Sequence, residues 1–374
     1  MNCSEQCFQD AIAKRYIREH GSLGTCDLSG ATGVKVLEAG LLRDLFEPLL
    51  KVYESSADTA QPRSTPDGKE SLFECIQNDK RWRVFSVAFS NSDGCMLLDA
   101  IRGYGPDGAL APSNASWFAT GSAQIETAGL WWAEFSDSIK HQWRFFPRVG
   151  KHQSRDPRSA LAPYLPKFVY TLEKGKRVYR ARIGERSASP TGRRRPFPPG
   201  PQIGAPPAST AGPGRANPTG LCYLYCADEE ATAIAEVRPY VGASVSVARL
   251  EALQRMKLVD AAKVRRLFSP LARKDLSDVL SALQLLEVLN EQLSRPISPN
   301  AAEIDYLPTQ YLAEVVRAEG YDGIRYKSGL VENGTNFVLF DQSKTLVLET
   351  KLVDVMQIAL RYRDVTRYRG TISS

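Results

Sequence analysis

Apolar residues recur at helical spacing in the first part of the chain. Between Gly33 and Tyr53 they fall every three or four positions, which predicts an amphipathic helix that Pro48 bends or ends. Further helices are predicted at SLFECIQNDKRW, after a polar loop, and over residues 127–146, where large apolar residues repeat four apart. We therefore predict that about the first 150 residues are mostly helical.

Short runs of β-branched and aromatic residues replace the helical pattern after Pro163. These runs are FVYTLEKGKRVYRARI, CYLYCA, VSVARL, KLVDA, NFVLFD and TLVLET, with helical segments between them. Residues 184–214 form a proline- and glycine-rich stretch, which we interpret as a loop inside the domain because the strand before it needs the partners that follow. The pattern predicts an α+β protein with two domains, residues 1–155 and residues 160–374.

Composition and charge exclude several classes of protein. The 374 residues are 43% hydrophobic and 24% charged, as in ordinary globular proteins, and this length favours two domains. No stretch reaches the ~18 apolar residues that span a bilayer, and no signal-peptide pattern opens the chain. A net charge of +6 favours neither RNA nor an anionic small molecule. We expect a soluble cytoplasmic protein with no membrane or nucleic-acid partner.

A permissive motif lies near the start of the chain. Arg15 and His20 have the R-x4-H spacing that places a guanidinium and an imidazole together in HEPN-class ribonucleases. His20 directly precedes Gly21, and basic residues at a helix C-terminus are common for electrostatic reasons alone. The spacing therefore favours a helix end, with the ribonuclease site as the alternative.

The seven cysteines are sparse and odd in number, which is typical of a reducing compartment. Cys3, Cys7 and Cys26 together with His20 offer the ligand types of a tetrahedral zinc site. However, C-x3-C is a loose spacing, and Ser29 stands where a second C-x-x-C pair would need a thiol. We therefore expect buried or unpaired thiols and no bound metal, with the mixed-ligand zinc site as the alternative.

The segment GRANPTGLCYLYCADEEATAIAEVRP, residues 214–239, carries the strongest candidate chemistry. Its glycine- and proline-bounded turn is predicted to present Arg215 and Asn217, CYLYCA to form a strand, and Asp228 to cap the helix that follows. In that helix Glu236 lies among apolar residues. An ionised carboxylate is costly to bury without a partner or a purpose, so Glu236 is either paired or exposed, or it is functional.

Taken together, these segments resemble the RES-domain family, the NAD-consuming toxins of bacterial toxin–antitoxin pairs. The resemblance spans about residues 165–350 and rests on the order and spacing of VYRAR, the GAPP loop, GRANPTG, YLYCADEEATAIAEV, GYDGIRYKS and NGTNFVLFD. It implies a fold related to that of ADP-ribosyltransferases, with a largely antiparallel sheet and a cleft for NAD+. The N-terminal part resembles the HEPN-like domain of a longer RES subgroup, without that subgroup's paired C-x-x-C.

The resemblance also implies which residues form the site. By position in these blocks, they are Arg180, Arg182, Arg215, Tyr225, Glu236 and Ser328. Glu236, Arg180 and Ser328 are expected to act in catalysis, where a fixed carboxylate stabilises an oxocarbenium-like ribose. Arg180 and Arg215 are expected to bind phosphate oxygens, and the neighbouring Arg182 is counted among the NAD+-binding residues without an assigned role. Tyr225 is expected to stack on a ring, and Ser328 to bond a ribose or phosphate oxygen. Asn336, in the last block, is expected to be structural.

The activity implied by the resemblance is NAD+ degradation by a toxin that cleaves the nicotinamide–ribose bond, by phosphorolysis or hydrolysis. Two alternatives stay open: a protein ADP-ribosyltransferase, and a HEPN-type ribonuclease whose RES half senses NAD+. NAD+ is expected as a substrate, and no metal is expected. A cognate Xre-type antitoxin is the implied protein partner, and the formation of a homo-oligomer is left open.

Overall fold

The chain folds into two compact units that alternate along the sequence. The computed structural model describes residues 1–55, 70–79, 81–103, 112–115, 117–119, 132–144, 156–186, 192–262, 269–295 and 303–359. The first unit comprises Met1–Val169, Asp260–Leu293 and Pro299–Glu319, and the second comprises Tyr170–Val259, Ser294–Ser298 and Gly320–Ser374. The predicted domains, residues 1–155 and 160–374, stay a prediction.

Helices and strands are numbered here in chain order. The helices are α1 (Ala11–His20), α2 (Arg43–Leu50), α3 (Leu72–Asn78), α4 (Asn91–Arg102), α5 (described over 132–141), α6 (Pro157–Leu161), α7 (Glu230–Glu236), α8 (Leu276–Ser294) and α9 (Leu307–Ala318). The strands are β1 (Asn2–Ser4), β2 (Ser22–Thr25), β3 (Thr32–Glu38), β4 (Tyr53–Ser55), β5 (Trp117–Ala119), β6 (Val169–Leu172), β7 (Arg177–Ile183), β8 (Leu224–Ala227), β9 (Ser244–Ala252), β10 (Met256–Asp260), β11 (Gly323–Lys327), β12 (Thr335–Leu339) and β13 (Thr345–Asp354). No described helix is long and apolar enough to cross a membrane.

Side-chain caps begin several helices of the first unit. Asp10 precedes α1, and its carboxylate accepts hydrogen bonds from two backbone N–H groups of the first turn. Ser90 and Asp93 form a reciprocal capping box at the start of α4. The same helix ends at Gly103, whose φ of +70° is a left-handed conformation that glycine adopts without strain. These helix boundaries therefore follow from local sequence.

The helix predicted from Gly33 to Tyr53 is wrong in its first half. Thr32–Glu38 form β3, which pairs antiparallel with both β1 and β2, and only Arg43–Leu50 are α-helical. Pro48 lies inside that helix rather than ending it. The alternating valines of TGVKVLE suit a strand, and pairing on both edges outweighs the apolar spacing that suggested a helix. Helices α3 and α5 confirm the predictions made at those positions, within the described residues.

Strands are also more frequent in the first unit than the sequence indicated. Besides the three-stranded sheet, β4 and β5 form an antiparallel pair. The expectation of a mostly helical N-terminal region is therefore not confirmed, and the HEPN-like domain stays a prediction. The α+β class itself is confirmed by the mixture of helices and sheets.

An eight-stranded sheet dominates the second unit. Its strand order is β13–β9–β7–β8–β12–β11–β10–β6, and every pairing from β13 to β11 is antiparallel. Each strand predicted after Pro163 is present in this sheet. Successive residues of a strand face opposite sides, so Leu224 and Cys226 of β8 join one apolar cluster and Ala227 joins another. Ala233 of α7 completes the second cluster, which places this helix against that face of the sheet.

Candidate functional site

A cavity in the second unit gathers four of the six predicted site residues. Its volume is about 330 Å³. It is lined by Tyr179, Arg180, Ala181, Arg215, Tyr225, Cys226, Ala227, Ala233, Glu236, Val237 and Tyr326. Arg180, Arg215, Tyr225 and Glu236 come from three of the predicted blocks, so the fold brings together residues that the sequence holds up to 56 positions apart.

The cavity forms where β7 and β8 diverge. Tyr179 of β7 pairs with Ala227 of β8, and no other pair of described residues joins the two strands. Three alanines, Ala181, Ala227 and Ala233, belong to the apolar cluster under the cavity. Because a methyl side chain fills little volume, alanine at these positions leaves room between the sheet and α7.

Glu236 ends α7 and is held by two neutral donors. Ser328 Oγ donates to Glu236 Oε1 at 2.7 Å, and Asn336 Nδ2 donates to the same oxygen at 2.7 Å. The side chain is half-buried and lines the cavity. Among the described lining residues Glu236 is the only carboxylate. Glu236 is thus paired with two donors and also lies on the wall of the cavity.

Ser328 has its hydroxyl oxygen fixed by the turn that follows it. The oxygen accepts the backbone N–H groups of Leu330 and Val331, both at 3.1 Å. Its single proton is therefore directed to Glu236. A methyl group at Gly334 would lie 3.1 Å from Ser328 Cβ, so glycine permits this close turn. The predicted contact of Ser328 with substrate stays a prediction.

Tyr225 organises the loop that carries Arg215. Its hydroxyl donates to Asn217 Oδ1 at 2.7 Å and accepts the backbone N–H of Ala216 at 3.0 Å. Asn217 is 5% exposed, and its amide donates to three carbonyl oxygens of the same loop. The prediction that the turn presents Asn217 outward is therefore wrong, because its polar atoms are consumed inside the loop. The predicted stacking of Tyr225 on a ring stays a prediction.

Arg180 bridges the gap between the diverging strands. Its Nε donates to the carbonyl of Ile203 and its Nη1 to the carbonyl of Tyr225, each at 2.7 Å. Burial, followed by the nearby charge of Arg182, lowers the pKa of this guanidinium. Arg182 is exposed, is not among the lining residues, and donates to the carbonyl of Gln202 at 2.7 Å. Phosphate binding by Arg180 and NAD+ binding by Arg182 stay predictions.

Three other groups of the cavity are neutral at physiological pH. Burial raises the pKa of Tyr225 and of Cys226 to about 12, and it also raises the pKa of Tyr326. A thiol with such a pKa carries no thiolate nucleophile. The cavity therefore offers one carboxylate, two guanidinium groups and neutral aromatic walls.

Two contributors to the site were missed by the sequence reasoning, and the contact made by a third, Asn336, was not foreseen. Tyr179 and Tyr326 line the cavity, and Asn336 contacts Glu236. A signal was present for Tyr326, which lies two positions before Ser328 and therefore on the same side of an extended chain. Asp228 was predicted to cap α7, and this is wrong because its Oδ1 instead accepts the backbone N–H of Thr335 at 3.1 Å.

The N-terminal ribonuclease motif receives no support from the geometry. α1 ends at His20, as predicted. Arg15 pairs with Glu19 at 3.9 Å, and the imidazole of His20 lies 4.3 Å from the ring of Tyr16. Within the described chain no contact joins Arg15 to His20. Both residues are exposed on the helix.

The N-terminal thiols are buried, as expected. Cys7 Sγ lies 3.5 Å from Cys26 Sγ, and Cys3 Sγ donates to the carbonyl of Leu37 at 3.4 Å. Burial raises the pKa of Cys3 and of Cys7 to about 12. In the part of the chain that the structure describes, no group of three histidine, cysteine or acidic residues is arranged to hold a metal ion. Zinc binding here stays untested.

Comparison with known proteins bears directly on this cavity. Residues 177–361 match the RES domain. This RES domain contains every residue that lines the cavity, together with Ser328 and Asn336. A solved structure, the crystal structure of the M. tuberculosis MbcT–MbcA toxin–antitoxin complex, is 12% identical over 54% of this chain and 94% of that chain, with a TM-score of 0.32. No curated protein matches the sequence.

Proposed function

We propose that this chain is an NAD+-degrading enzyme of toxin type, which cleaves the bond between nicotinamide and ribose. The observation that carries the proposal is the carboxylate of Glu236, held at one oxygen by two donors on the wall of a cavity inside the RES domain. The resemblance of the sequence to NAD-consuming RES toxins supplies the substrate. The positions of Arg180 and Arg215 on the same cavity agree with an anionic substrate.

The chemistry of NAD+ suits the groups present. Nicotinamide is attached to ribose as a pyridinium, so it leaves as a neutral molecule and needs no general acid. The reaction instead requires a negative charge beside the positively charged ribose of the transition state, and a fixed carboxylate provides it. All three histidines, His20, His141 and His152, precede the RES domain in the sequence. Glu236 is the residue that we assign to this stabilisation.

The size of the cavity indicates how much of the substrate it encloses. A volume of about 330 Å³ lies at the small end of ligand pockets. We infer that the nicotinamide riboside end enters, between Glu236 and the aromatic walls. The pyrophosphate would then lie toward Arg180 and Arg215, whose charges favour it. A cognate antitoxin that blocks this cavity is proposed on the family resemblance alone.

Incubation of the full chain with NAD+ tests the function and separates its variants. We expect release of nicotinamide, measured by liquid chromatography. A mass of ADP-ribose in the product indicates hydrolysis, and a mass of ADP-ribose 1″-phosphate that appears only with added phosphate indicates phosphorolysis. Radiolabel transferred from NAD+ to protein would instead support the ADP-ribosyltransferase.

Two outcomes would contradict the proposal. One is a folded protein that releases no nicotinamide with or without phosphate. The other is cleavage of total RNA that is lost in His20→Ala and kept in Glu236→Gln, since that result would place the activity in the N-terminal motif.

A further inference from the structure

Asn336 contacts the carboxylate of Glu236 without lining the cavity itself. Its side chain is 2% exposed and its Nδ2 lies 2.7 Å from Oε1 of Glu236. It belongs to β12, where it is paired with Ala227 of β8 on one side and with Tyr326 of β11 on the other. Strand pairing on both sides fixes its backbone, so the amide reaches Glu236 from a rigid position.

Both donors to Glu236 reach the same oxygen. Ser328 Oγ and Asn336 Nδ2 donate to Oε1, and no donor among the described residues reaches Oε2. An ionised carboxylate only accepts hydrogen bonds, so the Asn336 atom that faces it is the amide nitrogen. Two bonds to one oxygen, one from β12 and one from the turn after β11, fix the rotation of the carboxylate plane. Oε2 is left for a ligand of the cavity.

We propose that Asn336 is a positioning residue that, together with Ser328, orients Glu236 so that Oε2 meets the ribose of the substrate. The inference rests on the proposed function, because it concerns the same carboxylate. A charge that is already oriented stabilises a transition state without reorganisation at the moment of reaction. A carboxylate that can rotate loses part of that advantage, and the loss falls on kcat rather than on substrate binding.

Asn336→Asp is the informative variant. It keeps the shape of the side chain and replaces the donor with a carboxylate, which repels Glu236 at neutral pH. We expect kcat for NAD+ to fall about 10- to 100-fold, the equivalent of one hydrogen bond to a charged group, with KM changed less than about twofold. At about pH 5 the loss should shrink, because a protonated carboxyl donates where the amide did. A merely structural defect gives no such recovery at low pH.

Two further variants keep the test sharp. Asn336→Ala removes the donor without adding charge, so kcat should fall with no recovery at low pH. This variant replaces Asn336→Asp in the test if circular dichroism shows that the aspartate variant does not fold. Asn78→Asp is the matched control. Asn78 is exposed on α3 in the other unit and also donates to a glutamate, Glu70 Oε1, at 3.4 Å. Asn78→Asp should keep kcat within about twofold of wild type.

The outcomes distinguish this inference from the proposed function. Wild-type protein that turns over NAD+, with folded Asn336 variants that keep wild-type kcat at every pH, overturns the positioning role and leaves the function intact. A loss of kcat in Asn336→Asp that is equally large at low and neutral pH overturns it also. Wild-type protein that does not consume NAD+ refutes the proposed function, and the positioning role falls with it.

Discussion

Replacing Glu236 with glutamine should remove NAD+ turnover and leave the fold intact. Glutamine has the same shape, and its carbonyl oxygen can occupy the place of Oε1. Ser328 Oγ and Asn336 Nδ2, each 2.7 Å from that atom, then keep an acceptor. Alanine at the same position leaves both donors without an acceptor. The two substitutions therefore separate the loss of the charge from the loss of the contacts.

The expected losses of stability follow from these two bonds. A hydrogen bond to a charged group contributes ~1.5–3 kcal/mol and a neutral one ~0.5–1.5 kcal/mol, so glutamine weakens each bond by about 1 kcal/mol. Alanine leaves two donors unsatisfied at ~1–3 kcal/mol each. Because Glu236 is half-buried, solvent reduces both figures, and we expect free energies of unfolding lower by about 1 kcal/mol for Glu236→Gln and by about 3 kcal/mol for Glu236→Ala.

The kinetic effect should be far larger than the effect on stability. Removing one fixed group that stabilises transition-state charge costs about 10²–10³ in kcat. Nicotinamide release measures kcat, and urea unfolding followed by tryptophan fluorescence measures stability. Glu230→Gln is the matched control, because Glu230 begins the same helix, pairs with Lys351 at 2.8 Å and does not line the cavity. It should keep kcat within about twofold.

Three results would refute this reasoning. Glu236→Gln with wild-type kcat would show that the carboxylate takes no part in the reaction. Glu236→Ala as stable as Glu236→Gln would show that the bonds from Ser328 and Asn336 contribute nothing in solution. A loss of kcat in Glu230→Gln as large as that in Glu236→Gln would show that the effect comes from the overall charge of α7 and not from Glu236 in particular.

Three other variants test the cavity and its loop. Tyr225→Phe removes the donor to buried Asn217, so we expect stability to fall by ~1–3 kcal/mol in urea and KM for NAD+ to rise as the Arg215 loop loosens; an unchanged KM would contradict this. Ala233→Leu places a larger side chain on the cavity wall and should weaken NAD+ binding, measured by calorimetry, in a protein that still folds. Burial raises the pKa of Cys226 from 9.0 to about 12. The contribution of this thiol to stability is therefore complete below pH 9 and is lost as the pH rises toward 12. Cys226→Ala should lose less unfolding free energy than wild type between pH 9 and pH 12.

The strands of the RES domain could be predicted because their signal is local. Runs such as VYRARI and NFVLF contain β-branched and aromatic residues without helical spacing, and all of them lie in the eight-stranded sheet. β3 could not be predicted in the same way. TGVKVLE leads without a break into AGLLRDLF, and an apolar spacing that continues across the junction does not show where strand pairing ends and helix begins.

The partners of polar side chains could not be predicted from the sequence. Asp228 precedes a helix and has the chemistry of a cap, yet it binds the N–H of Thr335, which lies 107 residues later. Asn217 lies in a turn, yet its amide closes that turn from inside. In each case several different partners could satisfy the same side chain, and the tertiary structure determines which of them does. The sequence therefore indicated candidate site residues, four of which line one cavity, but not their contacts.

These contacts change how mutations in the site must be interpreted. Arg180 of β7 binds the carbonyl of Tyr225 on β8 and that of Ile203 in the segment between these strands. Tyr225 holds the Arg215 loop, and Ser328 is fixed by its own turn. Loss of activity after substitution at Arg180, Tyr225 or Ser328 is therefore expected even if none of them contacts NAD+, because the shape of the cavity depends on them. Glu236 differs, since its Oε2 has no described protein partner and glutamine preserves both bonds to Oε1. A large fall in kcat with little loss of stability in Glu236→Gln consequently indicates a role in the reaction. The same fall at the other three residues can be assigned to catalysis only when KM and the free energy of unfolding are measured as well.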